Sequence, residues 1–305
     1  MRILISGSAG FLGTALIETL EGQGHAIARL VRPATVRKSA AGAGAQTVAW
    51  DPVGGQFDAA GAEGAEALIH LAGASIAGGR WNAARKELLR TSRIDATRHL
   101  IAALAKLQRP PRVVVAASAI GYYGNRGEET LTEASAPGND FLSGLCREWE
   151  AEAARGVEFG ARVVSLRFGI ILAAHGGALP RMALPFKFGA GGRLGDGRQW
   201  MSWLTLKETV SIVQFALANS ALIGPVNAVT PNPVRNSEFT RVLARALRRP
   251  ALFPAPRFAL RLALGEMAGA LLLASQRVMP SKLADSGYPF LQVNLAGALA
   301  EVFHR

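Results

Sequence analysis

Three glycines near the amino end, Gly7, Gly10 and Gly13, stand in the string Gly7-Ser8-Ala9-Gly10-Phe11-Leu12-Gly13. A short apolar run, Ile3-Leu4-Ile5, precedes them, and a helix-like stretch follows. In that setting the first glycine permits a tight turn. The second lets backbone approach a pyrophosphate, and the third lets helix and sheet pack closely. A diphosphate would then meet free N–H groups at the helix start. Gly7, Ala9, Gly10, Phe11, Leu12 and Gly13 are therefore the candidate cradle of a dinucleotide. In an NAD site an Asp or Glu roughly 20 residues further on accepts from the ribose 2′-OH. No acid occurs between Gly22 and Gln46; the second apolar run ends Val31-Arg32-Pro33, with Arg37 and Lys38 soon after. Arg32 is thus either a partner for a 2′-phosphate, which a guanidinium matches bidentately, or a solvated surface arginine. The expected cofactor is NADP, with NAD less favoured.

These residues need elements to hold them. Ile3–Ile5, Ala26–Val31, Thr47–Trp50, Ala67–Ala72, Arg112–Ala116 and Arg162–Phe168 read as buried strands. Ala15–Gly22, a helical pattern between Trp81 and Leu107, and Phe141–Ala154 read as the helices among them. Pro110-Pro111 stops the second of these. Apolar strands alternating with helices predict an α/β fold, a Rossmann doubly wound parallel sheet. After about Ile170 the alternation loosens, Pro and Gly crowd Gly176–Gly197, Trp200–Thr205 reads as a strand, and Ser237–Leu247 and Arg257–Ser275 look helical. A smaller, mainly helical C-terminal lobe is expected. The dinucleotide-binding part would span 1–170 and 200–230, and the substrate lobe 171–199 and 231–305.

The bulk numbers suit this. Of 305 residues, 50% are hydrophobic and 18% charged, which excludes a disordered chain. The single cysteine, Cys146, rules out an internal disulfide and cysteine-based metal spacing, and no metal site is expected. The most apolar later stretch, Phe258–Ala274, is broken by Arg261 and Glu266, and the amino-terminal apolar run is too short for a signal peptide. The expectation is a soluble, cytoplasmic protein without a membrane partner. A net charge of +12 invites a nucleic-acid reading, but the basic residues are scattered and no nucleic-acid module is present. A small-molecule substrate is expected as partner, and no nucleic acid. Nothing in the sequence sets the oligomeric state.

The sequence resembles the extended and atypical short-chain dehydrogenase/reductase families. It is most similar to the epimerase-like (NAD-dependent epimerase/dehydratase) branch whose C-terminal region is a conserved domain of unknown function. The resemblance runs through Gly7–Gly13, His70-Leu71-Ala72-Gly73, Ser118-Ala119-Ile120-Gly121-Tyr122-Tyr123-Gly124 and Trp149-Glu150. It continues through Gly191–Trp200, Gly224-Pro225-Val226-Asn227 and Arg249-Pro250. It implies that Leu71, Ala72 and Gly73 line the cofactor's adenosine side, and that Ser118 is the catalytic Ser/Thr bonding the substrate's reacting oxygen. It implies too that Gly191–Gln199 is a substrate loop, where Arg193 or Arg198 meets an anion.

One departure bears on the chemistry. The family's Tyr-x-x-x-Lys helix supplies a proton-transferring tyrosine and a lysine that lowers its pKa. In the matching helix neither frame, Phe141 with Leu145 or Leu142 with Cys146, holds a Tyr or a Lys. Arg93 stands where the family's structural Asn is usual. Tyr122 and Tyr123, just past Ser118, are either replacement acids or aromatic walls of the pocket. Cys146 reads as a buried filler, His175 as a loop residue, His70 as a strand-end residue with a satisfied ring, and Glu150 as half of an ion pair on its own helix. Two functions follow: an NADP-dependent epimerase/reductase-like protein with a non-standard acid, or a catalytically silent NADP(H) sensor or scaffold.

Overall fold

The computed structural model describes residues 1–34 and 46–303; Arg37 and Lys38 lie outside them. Seven parallel strands form the central sheet: β1 (Arg2–Ser6), β2 (Ala26–Val31), β3 (Gln46–Ala49), β4 (Ala67–His70), β5 (Val113–Ala119), β6 (Arg162–Phe168) and β7 (Gly224–Ala228). Their order across the sheet is 7-6-5-4-1-2-3. The chain reverses direction of growth between β1 and β4, with Ile3 registered on Ala67 and on Ile27. In open α/β sheets that crevice, at the carboxyl ends of the strands, is where ligands bind.

Successive strand residues point to opposite faces, and both faces are covered. Ile3 and Ile5 pack with α1 (Phe11–Gly22) through Leu12 and Leu16, and with α6 (Leu206–Ala218) through Val210 and Val213. Leu4, Leu68 and Val114 pack instead on Leu100 and Leu104 of α3 (Ala96–Leu104). Two-sided burial explains why these strands are apolar throughout. α1 begins at Phe11, four residues before the apolar periodicity becomes visible at Ala15, because Gly10 takes the N-cap and the glycines themselves start the helix. Between α2 (Ala83–Arg90) and α3 the helical path continues through a π-turn over Thr91–Asp95. α4 (Phe141–Ala154) is capped by Asp140, whose side chain accepts from Ser143 N.

The C-terminal portion is mainly helical, built on α5 (Leu179–Lys187), α7 (Asn236–Leu247), α8 (Arg257–Leu264) and α9 (Leu295–Phe303). Its core gathers Leu172, Phe186, Trp203, Phe239, Leu243 and Leu299. Two readings of this region need correction. Trp200–Thr205 is not one strand. It breaks at Ser202, whose buried hydroxyl donates to Gln276 O (2.9 Å) and accepts from Val278 N (2.9 Å). The helix expected over Arg257–Ser275 stops at Leu264, where Gly265 adopts φ +63°, and a π-turn over Ala268–Leu272 follows. Leu283 and Tyr288, late in the chain, sit in the main core beside α6 rather than with the helices.

Candidate functional site

The glycine turn has little spare room. Gly7 adopts φ +71°, and a Cβ there would stand 2.8 Å from the Leu71 carbonyl carbon. A Cβ on Gly13 would meet Gly7 O at 2.4 Å. Only glycine satisfies both the left-handed backbone and the contact. Gly10 N donates to Gly7 O (3.0 Å), which closes the turn. Ala9 and Gly10 are exposed, and α1 has neither a side-chain cap nor an acidic residue in its first turn. Its leading N–H groups therefore face the crevice with the positive end of the helix dipole. Phe11 is half-buried, under the loop after residues 170–172: a Cβ on Gly176 would lie 2.6 Å from Phe11 Cβ. His175 is an exposed member of that loop. Leu12 and Gly13 are buried beneath.

A buried polar chain fixes the opposite lip. Ser6 Oγ accepts from Leu71 N (3.1 Å) and Ala72 N (3.2 Å), so its own proton goes to His70 Nδ1 (2.6 Å). His70 Nε2–H then donates to Thr97 Oγ1 (2.9 Å), which also accepts from Trp149 Nε1 (3.0 Å) and donates to Arg93 O. Every ring and hydroxyl proton has one place to go, and the network needs a neutral imidazole. Burial holds the His70 pKa down at about 4. Leu71 and Ala72 are half-buried and Gly73 is exposed, so the lip is small and backbone-rich. Arg93 braces it from behind: its guanidinium donates to Ala74 O (2.9 Å), lies 5.2 Å from the Trp149 ring and would stand 3.2 Å from a Cβ on Gly73. Burial pulls the Arg93 pKa below its usual value. Arg32 is exposed just past β2, and no hydrogen bond or ion pair ties its side chain to any described residue.

Ser118 is 3% exposed and donates to Glu150 Oε1 at 2.6 Å. Glu150 in turn takes a two-pronged contact from Arg167 on β6, Nε to Oε1 at 2.8 Å and Nη2 to Oε2 at 2.7 Å. The ion pair expected within the helix is therefore one between helix and sheet. Arg167 Nη1 donates to Tyr123 Oη (2.9 Å), and Tyr123 lies within bonding distance of Asn227 Oδ1 (2.7 Å) and Thr132 O (2.9 Å). Burial pushes the Tyr123 pKa up to about 12. Burial works against the Arg167 charge, yet the Glu150 contact more than offsets this and its pKa rises. The Tyr122 ring covers the Arg167 guanidinium at 3.4 Å, and among the described residues nothing bonds its hydroxyl. Tyr122 and Tyr123 thus meet Arg167 directly, and Ser118 reaches it through Glu150. Sequence reasoning missed this arginine, although a lone Arg in the apolar run Val163–Phe168 demands a buried carboxylate. Leu142, Cys146 and Glu150 share one face of α4 at four-residue spacing, which was the sign that Glu150 points inward.

Where a Tyr-x-x-x-Lys pair would sit, the surroundings are apolar. Phe141, Leu142 and Leu145 join Trp81, Leu89 and Met267 in one cluster. Cys146 is buried, its thiol pushed up to about 12 by burial. Such a thiol is no nucleophile at neutral pH. Arg193 and Arg198 of the expected substrate loop part company. Arg198 is exposed, and Arg193 lines a groove beside α7. Among the described residues no three His, Cys, Asp or Glu side chains are grouped to hold a metal ion.

Residues 3–228 match the NAD dependent epimerase/dehydratase family, and residues 255–302 match a domain of unknown function, DUF1731. The chain belongs to the NAD dependent epimerase/dehydratase family. It is 40% identical over 297 residues to an epimerase family protein of Mycobacterium bovis, covering 97% of this chain and 96% of the relative. Epimerase family protein YfhF of Bacillus subtilis is 38% identical, with 99% and 98% covered. Among solved structures, human epimerase family protein SDR39U1 (isoform 2) with NADPH superimposes with TM-score 0.89 at 31% identity over 100% of both chains. Thermus thermophilus UDP-glucose 4-epimerase with NAD reaches TM-score 0.76 at 20% identity, covering 100% of this chain and 98% of that one, a likeness of fold alone. No helix among the described residues is long and apolar enough to cross a membrane.

Proposed function

We propose that this family member binds NADP(H) between the glycine turn and the Leu71–Gly73 lip and acts, as an epimerase/reductase-like protein, on a small molecule. The observation that carries the cofactor reading is the cradle at Gly7, where a Cβ would strike Leu71, set against an uncapped α1. Gly7, Ala9, Gly10, Phe11, Leu12 and Gly13 would hold the diphosphate. Leu71, Ala72 and Gly73 would flank the adenosine side. Arg32, exposed and without a carboxylate partner among the described residues, would take the 2′-phosphate. The human relative solved with NADPH supports the same choice. When bound, the nicotinamide supplies a hydride acceptor or donor.

The proton side of the chemistry has to come from unusual groups. Phe141, Leu142 and Leu145 hold no transferable proton, and Cys146 keeps its own. Ser118 has its proton committed to Glu150 and Tyr123 is enclosed, which leaves the unbonded Tyr122 hydroxyl as the candidate acid. The same facts support a second reading, a catalytically silent NADP(H) sensor or scaffold. Two experiments test these readings. Arg32→Asp should reverse the preference from NADPH to NADH, and an unchanged ratio would remove Arg32 from the site. Wild-type protein with NADPH and a broad set of aldehydes and ketones should oxidise the cofactor; if none is turned over while NADPH binds, the sensor reading stands.

A further inference from the structure

A second concave site lies away from the cofactor crevice, along the outer flank of α7. It is a groove of about 770 Å³ walled by Arg241, Arg245 and Arg248 of α7 and its end, by Arg249, and by Arg193 across from them. Five guanidinium groups share it. None makes a side-chain hydrogen bond or ion pair with any described residue, and Glu238, one turn before Arg241, pairs with none of them. Elsewhere on the surface Arg90, Arg98, Arg126, Arg155 and Arg235 each hold a carboxylate. Like charges crowded together without counter-charge repel, and only partial exposure to water keeps that cost tolerable. Arg248 adds a backbone cost of its own: it takes φ +54° at the end of α7, the one left-handed non-glycine among the described residues. Glycine would fit that position without strain.

We propose that this groove binds an oligophosphate, a small molecule carrying three linked phosphates. Planar guanidinium forks match phosphate oxygens bidentately, and arginine on both walls suits several phosphates in a row. Ser237 and Thr240 also line the groove, and the exposed Leu252 and Pro254 give an apolar rim for whatever the phosphates are attached to. The volume falls within the range of small-molecule sites, roughly 300–1,000 Å³. Among the described residues no aromatic side chain lines the groove, which gives it no stacking platform of the kind single-stranded nucleic acid uses. It shares no residue with the glycine turn or the Leu71–Gly73 lip.

The test is calorimetric titration of the full chain with inorganic tripolyphosphate, repeated with NADPH present and with a random 20-base-pair duplex. Tripolyphosphate should bind, raise the melting temperature and be undisturbed by saturating NADPH. Arg241→Ser/Arg245→Ser, both at exposed positions, should weaken tripolyphosphate about tenfold or more with NADPH affinity unchanged. Arg248→Gly should weaken it too, without loss of thermal stability, because glycine relieves the backbone. No binding at low salt, equal binding by the variants, or displacement by NADPH would overturn the proposal. So would duplex binding without measurable affinity for tripolyphosphate, which would make the groove a nucleic-acid surface.

Discussion

At the scale of single residues, the buried charges and the buried imidazole carry the most consequence. Glu150 and Arg167 are 12% and 2% exposed at the side chain, and the carboxylate offsets the cost of burying the arginine's charge. Glu150→Ala leaves a buried guanidinium whose remaining hydrogen-bond partner among the described residues is Tyr123, and strands the Ser118 hydroxyl. The expected loss is about 3–5 kcal/mol in denaturant unfolding; a loss under 1 kcal/mol would mean that water replaces the carboxylate. His70 sets the acid limit. Its folded pKa is lowered to about 4 from an unfolded 6.5, so the unfolded chain binds the extra proton first as pH falls. The neutral form's contribution is complete above 6.5 and is lost between 6.5 and 4, roughly 3 kcal/mol in all. His70→Asn should be less stable at pH 7, yet flatter than wild type across that window. Parallel pH curves would show that another group sets the acid limit. The residue types behind the cofactor cradle were legible in the sequence because glycine's requirement is local. The Glu150–Arg167 pair was not, since its members lie 17 residues apart and meet only when α4 settles on β6.

At the scale of elements, periodicity located the sheet because two-sided burial writes continuous apolar runs. It placed α4 and β6 at their observed limits, Phe141–Ala154 and Arg162–Phe168. It failed where tertiary bonds override pattern: Ser202 interrupts Trp200–Thr205 by bonding the 276–278 segment, and no local signal announces that. Another such tie joins the start of α6 to the late chain. Glu208 is fully buried and accepts from Tyr288 Oη (2.6 Å), Leu291 N (2.9 Å) and Gln292 N (2.9 Å). Burial and the neighbouring carboxylate raise the Tyr288 pKa well above its usual value. Glu208→Ala orphans two backbone donors and a phenol, and should cost about 3–5 kcal/mol. The loss should come with earlier proteolysis near residue 290. Protection there equal to wild type would show that packing of Leu283 and Tyr288 alone holds the segment.

At the scale of the whole molecule, the net charge of +12 reads differently once the arginines are placed. Many are paired on the surface, one is locked in the core, and five without a carboxylate partner among the described residues line the groove along α7. A diffuse field from the sequence thus becomes the ground for the two anion sites proposed above. The domain of unknown function and the C-terminal helices belong to a Rossmann-type fold in which Phe141, Leu142 and Leu145 lie in an apolar cluster. Cofactor binding therefore becomes the property on which either reading of the protein depends. The most direct test is calorimetric titration of the wild-type chain with NADPH and with NADH under identical salt. One site per chain is expected, with NADPH binding at least about tenfold tighter, the worth of one charge-assisted phosphate contact. Equal affinities, an NADH preference or no heat with either nucleotide would contradict it.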